Sequence, residues 1–454
     1  MAAVDNEDKS VAISSSDWFE GSRFGSFQFK AFLACLILNT MEGYDLFVYG
    51  AALPVLMPAL KLSAAQAGTV ASAASLGTLF GALIFGPMAD KVGRKRIILI
   101  SAALSCLSML LAGLSHDFTT FALSRFAFGI ANGGMVVNIM ALISEYVPNK
   151  SRATTVGLIA SGSSIGGLVG ALLGIFTFDL YGWRPVFIGS SFLIFLFPLY
   201  LRWLPEGTGF LVRNGRADEL RRYMRLARPN EILADEVEIV TAPGKNKVPV
   251  GEVFSDGRTR GVLLFWVCYL CNLFVIHGFN SWLPKLMVNR GFKLEQGLSF
   301  LLPVSIASIV MTFLIGRITD RVGAKPVLVV LYLLSSSAIF LVGMSHDYVV
   351  LMFLCGLAGV GFNGAQNMMN GYSPTYFPPP IRSTATGYNF VLGRFGGVAG
   401  PLVVGLLISA AWSFNDTMIA LAIPSVIAAV AIASIPEKFG FAARKKHAEV
   451  AAVA

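Results

Sequence analysis

The chain is 454 residues long, 55% hydrophobic and only 13% charged, too few charges to cover a soluble protein of that length. Its formal net charge of +9 therefore bears on membrane topology rather than on nucleic acid. Apolar residues fall in blocks of about 20, the length at which a helix crosses a hydrocarbon core. The fold class this predicts is an all-α polytopic membrane protein.

Residues 1–28 form a polar tail without the n-region, h-region and cleavage site of a removable signal peptide. Twelve apolar spans follow, at 29–51, 66–89, 97–114, 118–146, 153–178, 184–204, 261–288, 297–320, 325–344, 348–377, 384–410 and 415–436. A polar stretch, 205–260, separates the sixth from the seventh, and 437–454 closes the chain. The first part of that stretch contains GRADELRRYMRLAR, charged and compatible with a helix, and the stretch is then interrupted by Pro229, Pro243 and Pro249.

Basic residues set the orientation. Lys91, Arg94, Lys95 and Arg96 lie between spans 2 and 3, ten more lie in 205–260, and Lys438, Arg444, Lys445 and Lys446 end the chain. The opposite loops hold Lys61, Arg184, Lys285, Arg290 and Lys293. By the positive-inside rule both tails and the central loop face the cytosol. The five cysteines, Cys35, Cys106, Cys268, Cys271 and Cys355, all lie in apolar runs. There the Cys268-x-x-Cys271 spacing reads as packing rather than as a redox pair.

The chain is duplicated at an offset of 230 residues. Leu53-Pro54 recurs as Leu283-Pro284, Asp90-Lys91-Val92-Gly93 as Asp320-Arg321-Val322-Gly323, and Ser115-His116-Asp117 as Ser345-His346-Asp347. Tyr146-x-Pro148 with Arg152 recurs as Tyr376-x-Pro378 with Arg382. Twelve helices in two pseudo-twofold halves of six (29–204 and 261–436) predict a site near the midplane, reached alternately from each side.

Within the first span, Glu42 and Asp45 stand three residues apart on one helical face. A carboxylate at membrane depth costs about 2.5–3.5 kcal/mol on insertion scales and marks function by default. Arg125 in the fourth span and Arg394 in the eleventh are equally out of place. At ~1.5 Å per residue the acids lie roughly 20 Å from the cytosolic end and Arg125 roughly 10 Å from the periplasmic end, at similar depth. Glu42, Asp45 and Arg125 thus form the expected proton-coupling group, Arg125 pairing with either acid when no proton is bound. A permanent structural pair is the alternative. Arg394 lies roughly 15 Å from the cytosolic end, and Ser164 holds its place in the first half. A planar guanidinium suits bidentate capture of a carboxylate, or an internal gating pair. Glu145, ending the fourth span, suits a closed-gate contact with Arg94 or Arg152.

The loop GPMADKVGRKR (Gly86–Arg96), with its weaker copy GRITDRVGAK, resembles the signature of the major facilitator superfamily between helices 2 and 3. Asp90, Gly93, Arg94, Asp320 and Arg321 become gating candidates beside Glu145 and Arg152. More closely, Glu42-Gly43-Tyr44-Asp45 resembles the Asp-Gly-x-Asp motif of the aromatic acid:proton symporters, with Glu at the first acid. The stretch from Asn363 to Pro401 is similar to that family as well. The resemblance implies a benzoate- or hydroxybenzoate-like cargo moved with protons. Arg394 and Arg125 are then candidates for its carboxylate. His277, Asn280, Asn363, Gln366, Asn367 and Tyr388 are candidates for its polar contacts, and Asn370 and Asn389 lie nearby.

Other chemistry is missing from the sequence. It holds no phosphate-binding GxxxxGK[ST] loop, HExxH, metal-ligand spacing or nucleophile elbow. No enzyme, cofactor or nucleic-acid partner is expected. The chain is expected to act as a monomer in a bacterial inner membrane, with both termini cytosolic. Competing readings are proton-driven export of organic cations on the same fold, with the carboxylates as ligands, and a membrane sensor without net transport.

Overall fold

The computed structural model describes residues 13–231, 239–240 and 250–437. Pro243, Pro249, Lys438, Arg444, Lys445 and Lys446 lie outside the described residues, as does the side chain of Asp320. Among the described residues, twelve helical segments are long and apolar enough to cross a membrane, and we label them α1 to α12. In the first half α1 is Ser26–Ala59, α2 Ala64–Val92, α3 Arg94–Leu114 and α4 Phe118–Tyr146. Helix α5 is in two pieces, Asn149–Ala160 and Gly162–Tyr181. Helix α6 runs through Arg184–Ser191, a 3-10 turn at Phe192–Leu196 and Phe197–Trp203.

In the second half α7 is Thr259–Asn289, and α8 is Leu294–Ser299 continued by Leu301–Val322. Then come α9 Ala324–Met344, α10 Tyr348–Tyr376, α11 Pro379–Ser409 and α12 Phe414–Ala433. The hydropathy blocks place all twelve. Helix α1 overruns its apolar block, because Pro54 and Pro58 lie inside the helix instead of ending it. Membrane helices tolerate proline where neighbouring groups take up the freed carbonyls.

The duplication extends to individual hydrogen bonds. At the start of α2, Ser63 N donates to Gln66 Oε1 at 2.9 Å, and at the start of α8, 230 residues on, Lys293 N donates to Gln296 Oε1 at 3.1 Å. Asp117 and Asp347 cap α4 and α10, each accepting a backbone N–H at 2.9 Å. One device has changed hands. Arg184 caps the end of α3 through the carbonyls of Gly113 and Ser115, at 3.3 and 3.2 Å. In the second half Phe414 holds the place of Arg184, and Arg290 caps α9 instead while lying 4.3 Å over the Phe414 ring.

How the halves meet decides which way the site faces. On the side away from the termini they share one apolar core, in which Tyr49, Leu53 and Leu56 of α1 and Val70 of α2 join Phe279, Trp282 and Leu283 of α7. On the terminus side each half keeps its own core, around Met135, Ile139 and Tyr146 in one and Phe265, Tyr332 and Tyr376 in the other. Hydrogen bonds join the halves from the far end to the middle. Ala65 N donates to Ser409 Oγ at 2.9 Å and Ser72 Oγ to the Val398 carbonyl at 2.6 Å. Ser75 Oγ and His277 Nδ1 lie 3.1 Å apart, and Ser164 and Ser308 are joined at 2.8 Å. The halves are thus closed on the far side and parted on the terminus side.

The polar tail contributes structure of its own. Ile13–Ser14 pairs in parallel with Ile239–Val240, and a short helix, Ser15–Glu20, packs on the loop helix Ala217–Ala227. Trp18 Nε1 donates to the Met224 carbonyl at 2.9 Å, with the Arg228 guanidinium 4.9 Å over its ring. Buried Phe19 meets the edge of Tyr146 at 4.8 Å. This clasp fastens the tail and the central loop to the first half.

Candidate functional site

The acidic segment of α1 is set by a close helix crossing. A Cβ on Gly43 would overlap the Ser163 backbone, and one on Gly166 would overlap the Thr40 carbonyl. Only the missing side chains let α1 and α5 approach so closely. Gly43 therefore seats the backbone between Glu42 and Asp45, and the two acids take different partners.

Asp45 accepts a hydrogen bond from Arg125 of α4 within the first half. The side chains of Arg125 and Asp45 are only 2% and 7% exposed. The rings of Tyr49 and Phe128 cover the guanidinium at 4.9 and 5.8 Å. Glu42 instead faces the other half. Its Oε1 lies 3.6 Å from Arg394 Nη2 of α11, and its Oε2 accepts from Ser163 Oγ at 3.2 Å. Both of these charged side chains are 23% exposed, and both stand near the middle of their helices. Of the two intramembrane ion pairs among the described residues, the one across the halves is longer and more exposed. Pairing of Glu42 with Arg394 was not readable from sequence, since 352 residues and two helix packings separate them.

The second half supplies a ladder of amides. Asn272 donates to Gln366 Oε1 at 2.8 Å, Gln366 donates to Asn370 Oδ1 at 3.0 Å, and Tyr269 OH donates to the same oxygen at 3.4 Å. Tyr269 also packs against Gly393, next to Arg394, and meets the Phe390 ring at 5.6 Å. Asn363, Asn367 and Tyr388 are half-buried. Asn389 donates to Ser373 Oγ at 2.7 Å. His277 lies against Gly397, one turn from Arg394. Asn280 is fully buried where α7 crosses Gly50 of α1, with neither side-chain polar atom bonded.

The gating candidates divide between the halves. Glu145 pairs with Arg94, which also lies 3.6 Å from Asp90, and accepts from Thr208 N and Oγ1 at 2.8 and 3.1 Å. This contact lies inside the first half, where it ties α3 and α4 together. Arg152 donates to the Val147 carbonyl at 3.4 Å, and Arg321 is exposed. Sequence reasoning missed Glu206, counted as part of a polar loop. It is 2% exposed, and its Oε1 accepts from Lys95 N at 3.0 Å and Gly207 N at 2.8 Å. Gly93 has φ of +108°, and a Cβ there would fall 2.6 Å from Glu206 Oε2, so this turn requires glycine. The run LPEG just past an apolar span was the available signal.

A family model for the Major Facilitator Superfamily matches residues 35–318 and 295–451. The chain belongs to this superfamily. Among its members, the benzoate transport protein of Acinetobacter baylyi is 33% identical, over 94% of this chain and 93% of its own length. The gallate transporter of Pseudomonas putida is 28% identical over 92% and 93%, and the 4-hydroxybenzoate transporter of Pseudomonas aeruginosa 29% over 89% and 92%. These relatives are named as transporters and not as enzymes. The superfamily fold is shared with a crystal structure of a D-xylose-proton symporter, at a TM-score of 0.73 and 17% identity over 91% of this chain and 99% of that one. A partially occluded inward-open structure of the xylose transporter of Escherichia coli aligns equally well, at 0.73 and 16% over 90% and 100%. The chain is a multi-pass membrane protein with the twelve-helix superfamily fold.

Proposed function

We propose that the chain imports a small aromatic carboxylate, such as benzoate or a hydroxybenzoate, together with protons by alternating access. It does so as a monomer in a bacterial inner membrane, with residues 29–204 and 261–436 as the two moving halves. The basic residues on the terminus side put both tails and the central loop in the cytosol. In that orientation the conformation described is closed outward and parted inward.

The observation that carries this reading is the guanidinium of Arg394. It stands in mid-membrane, partly exposed and, among the described residues, paired with Glu42 at 3.6 Å, in a chain whose relatives are named for aromatic acids. Arg394 takes the carboxylate. His277, Asn280, Asn363, Gln366, Asn367 and Tyr388 supply polar contacts around the ring, and Glu42, Asp45 and Arg125 couple the proton. Asp90, Gly93, Arg94, Glu145 and Arg152 work the gate of the first half, and Asp320 and Arg321 that of the second.

Uptake of a labelled panel of aromatic acids by cells, with and without an uncoupler, tests the proposal. At least one member should accumulate and the uncoupler should abolish it. A panel in which none accumulates overturns the substrate class.

A further inference from the structure

We propose that Glu42 is a resident substitute for the substrate's own carboxylate, and that substrate enters by exchange. The anion takes over Arg394 while Glu42 leaves it with a proton from solution. This rests on the reading of the chain as a carrier of aromatic carboxylates, and it assigns the binding-linked proton to one of the two acids.

The contrast between the two intramembrane ion pairs carries the assignment. Asp45 and Arg125 are in hydrogen-bonding contact, sealed under two rings, and belong to the same half. An entering anion cannot reach Arg125 without dismantling that packing. Glu42 and Arg394 are 3.6 Å apart, beyond hydrogen-bond length, and equally exposed. An arginine fork binds a carboxylate best through two parallel bonds. The single long contact with Glu42 leaves that geometry unused, and a free carboxylate can adopt it.

Charge then fixes what must happen to Glu42. Helices α4, α5, α7 and α11 bring Arg125, His277 and Arg394 toward this region as charged or titratable groups. Arg125 is taken by Asp45, and His277 is hydrogen-bonded to Ser75. Once the substrate holds Arg394, Glu42 has no other cation paired with it among the described residues, and Ser163 Oγ at 3.2 Å remains as its polar neighbour. An unpaired carboxylate at this depth is strongly disfavoured, so Glu42 takes up one proton. The exchange balances: one anion and one proton enter, the Arg394 guanidinium keeps one carboxylate partner, and Glu42 becomes neutral. The charge inside the membrane is the same with cargo as without it. The same ion pair bridges the halves in the empty carrier and is broken in the loaded one.

The experiment is to add benzoate to the purified full-length protein in weakly buffered detergent solution near neutral pH and to follow a pH indicator. Benzoate is already an anion there, so any proton taken up goes to the protein. Wild type should take up close to one proton per benzoate bound, and its affinity should fall by up to about tenfold per unit rise in pH. E42Q, with E42A as a second variant lacking the carboxyl, should bind with no proton uptake and little pH dependence. Benzoate binding by wild type without proton uptake overturns the exchange. So does undiminished proton uptake in either variant. A wild-type protein that binds no aromatic acid at any pH overturns the transport reading instead.

Discussion

The carboxylate of Asp45 and the guanidinium of Arg125 form a closed ion pair within the first half, shut away from the space between the halves by Tyr49 and Phe128. Removing one partner of such a pair leaves an uncompensated buried charge, at a cost of about 3–5 kcal/mol. D45N should lower the melting temperature in detergent markedly and abolish accumulation. D45N combined with R125Q should recover most of the stability but not the accumulation. A D45N protein as stable as wild type contradicts the closed pair.

The crossing of α1 and α5 at Gly43 predicts a backbone effect that no rotamer can relieve. A methyl group there meets the Ser163 main chain rather than a flexible side chain. G43A should cost at least the ~1–3 kcal/mol typical of overpacking, read as a drop in melting temperature. Gly371 on α10 has nothing within 4 Å of its added Cβ, so G371A should be neutral or slightly stabilising.

Exchange at Arg394 predicts electroneutral uptake. In proteoliposomes, benzoate should accumulate in response to a pH gradient with the membrane potential clamped. A potassium diffusion potential imposed at equal pH should drive none. Uptake that follows the potential alone would mean that more protons than anions cross.

The clasp at the tail predicts a local effect. W18A removes the hydrogen bond to Met224 and the stacked Arg228. Limited trypsin digestion should cut the arginine-rich loop helix Ala217–Ala227 several-fold faster in W18A. Uptake should persist, because Trp18 belongs to the short tail helix Ser15–Glu20 and not to a spanning helix. Unchanged digestion would show that the clasp does not hold the loop.

Much of this molecule is legible from residue chemistry. The spans follow from apolar blocks, and their limits agree with the helices to within a few residues except at Pro54 and Pro58, where the usual rule for proline fails in a membrane helix. The unusual charges, Glu42, Asp45, Arg125 and Arg394, stand out because the bilayer makes them costly. Their pairing is another matter. Asp45 and Glu42 share one helical face, and only the tertiary placement of Arg125 on α4 and Arg394 on α11 gives each its own arginine. Glu206 and the Trp18-Phe19 pair escaped notice for a different reason. Each lies in a stretch whose average is polar, and burial there is decided by distant partners such as Lys95, Met224 and Tyr146.

The apolar seam between the halves on the far side has a thermal consequence. Under the proposed alternating access, every cycle parts Leu53, Leu56 and Val70 from the cluster they share with Phe279, Trp282 and Leu283 and wets them before the carrier faces outward again. Wetting apolar surface raises heat capacity, so the barrier to that step has its own temperature dependence. The logarithm of turnover plotted against reciprocal temperature should therefore bend if reopening limits the cycle. The terminus side, where each half keeps a core of its own, adds no such curvature.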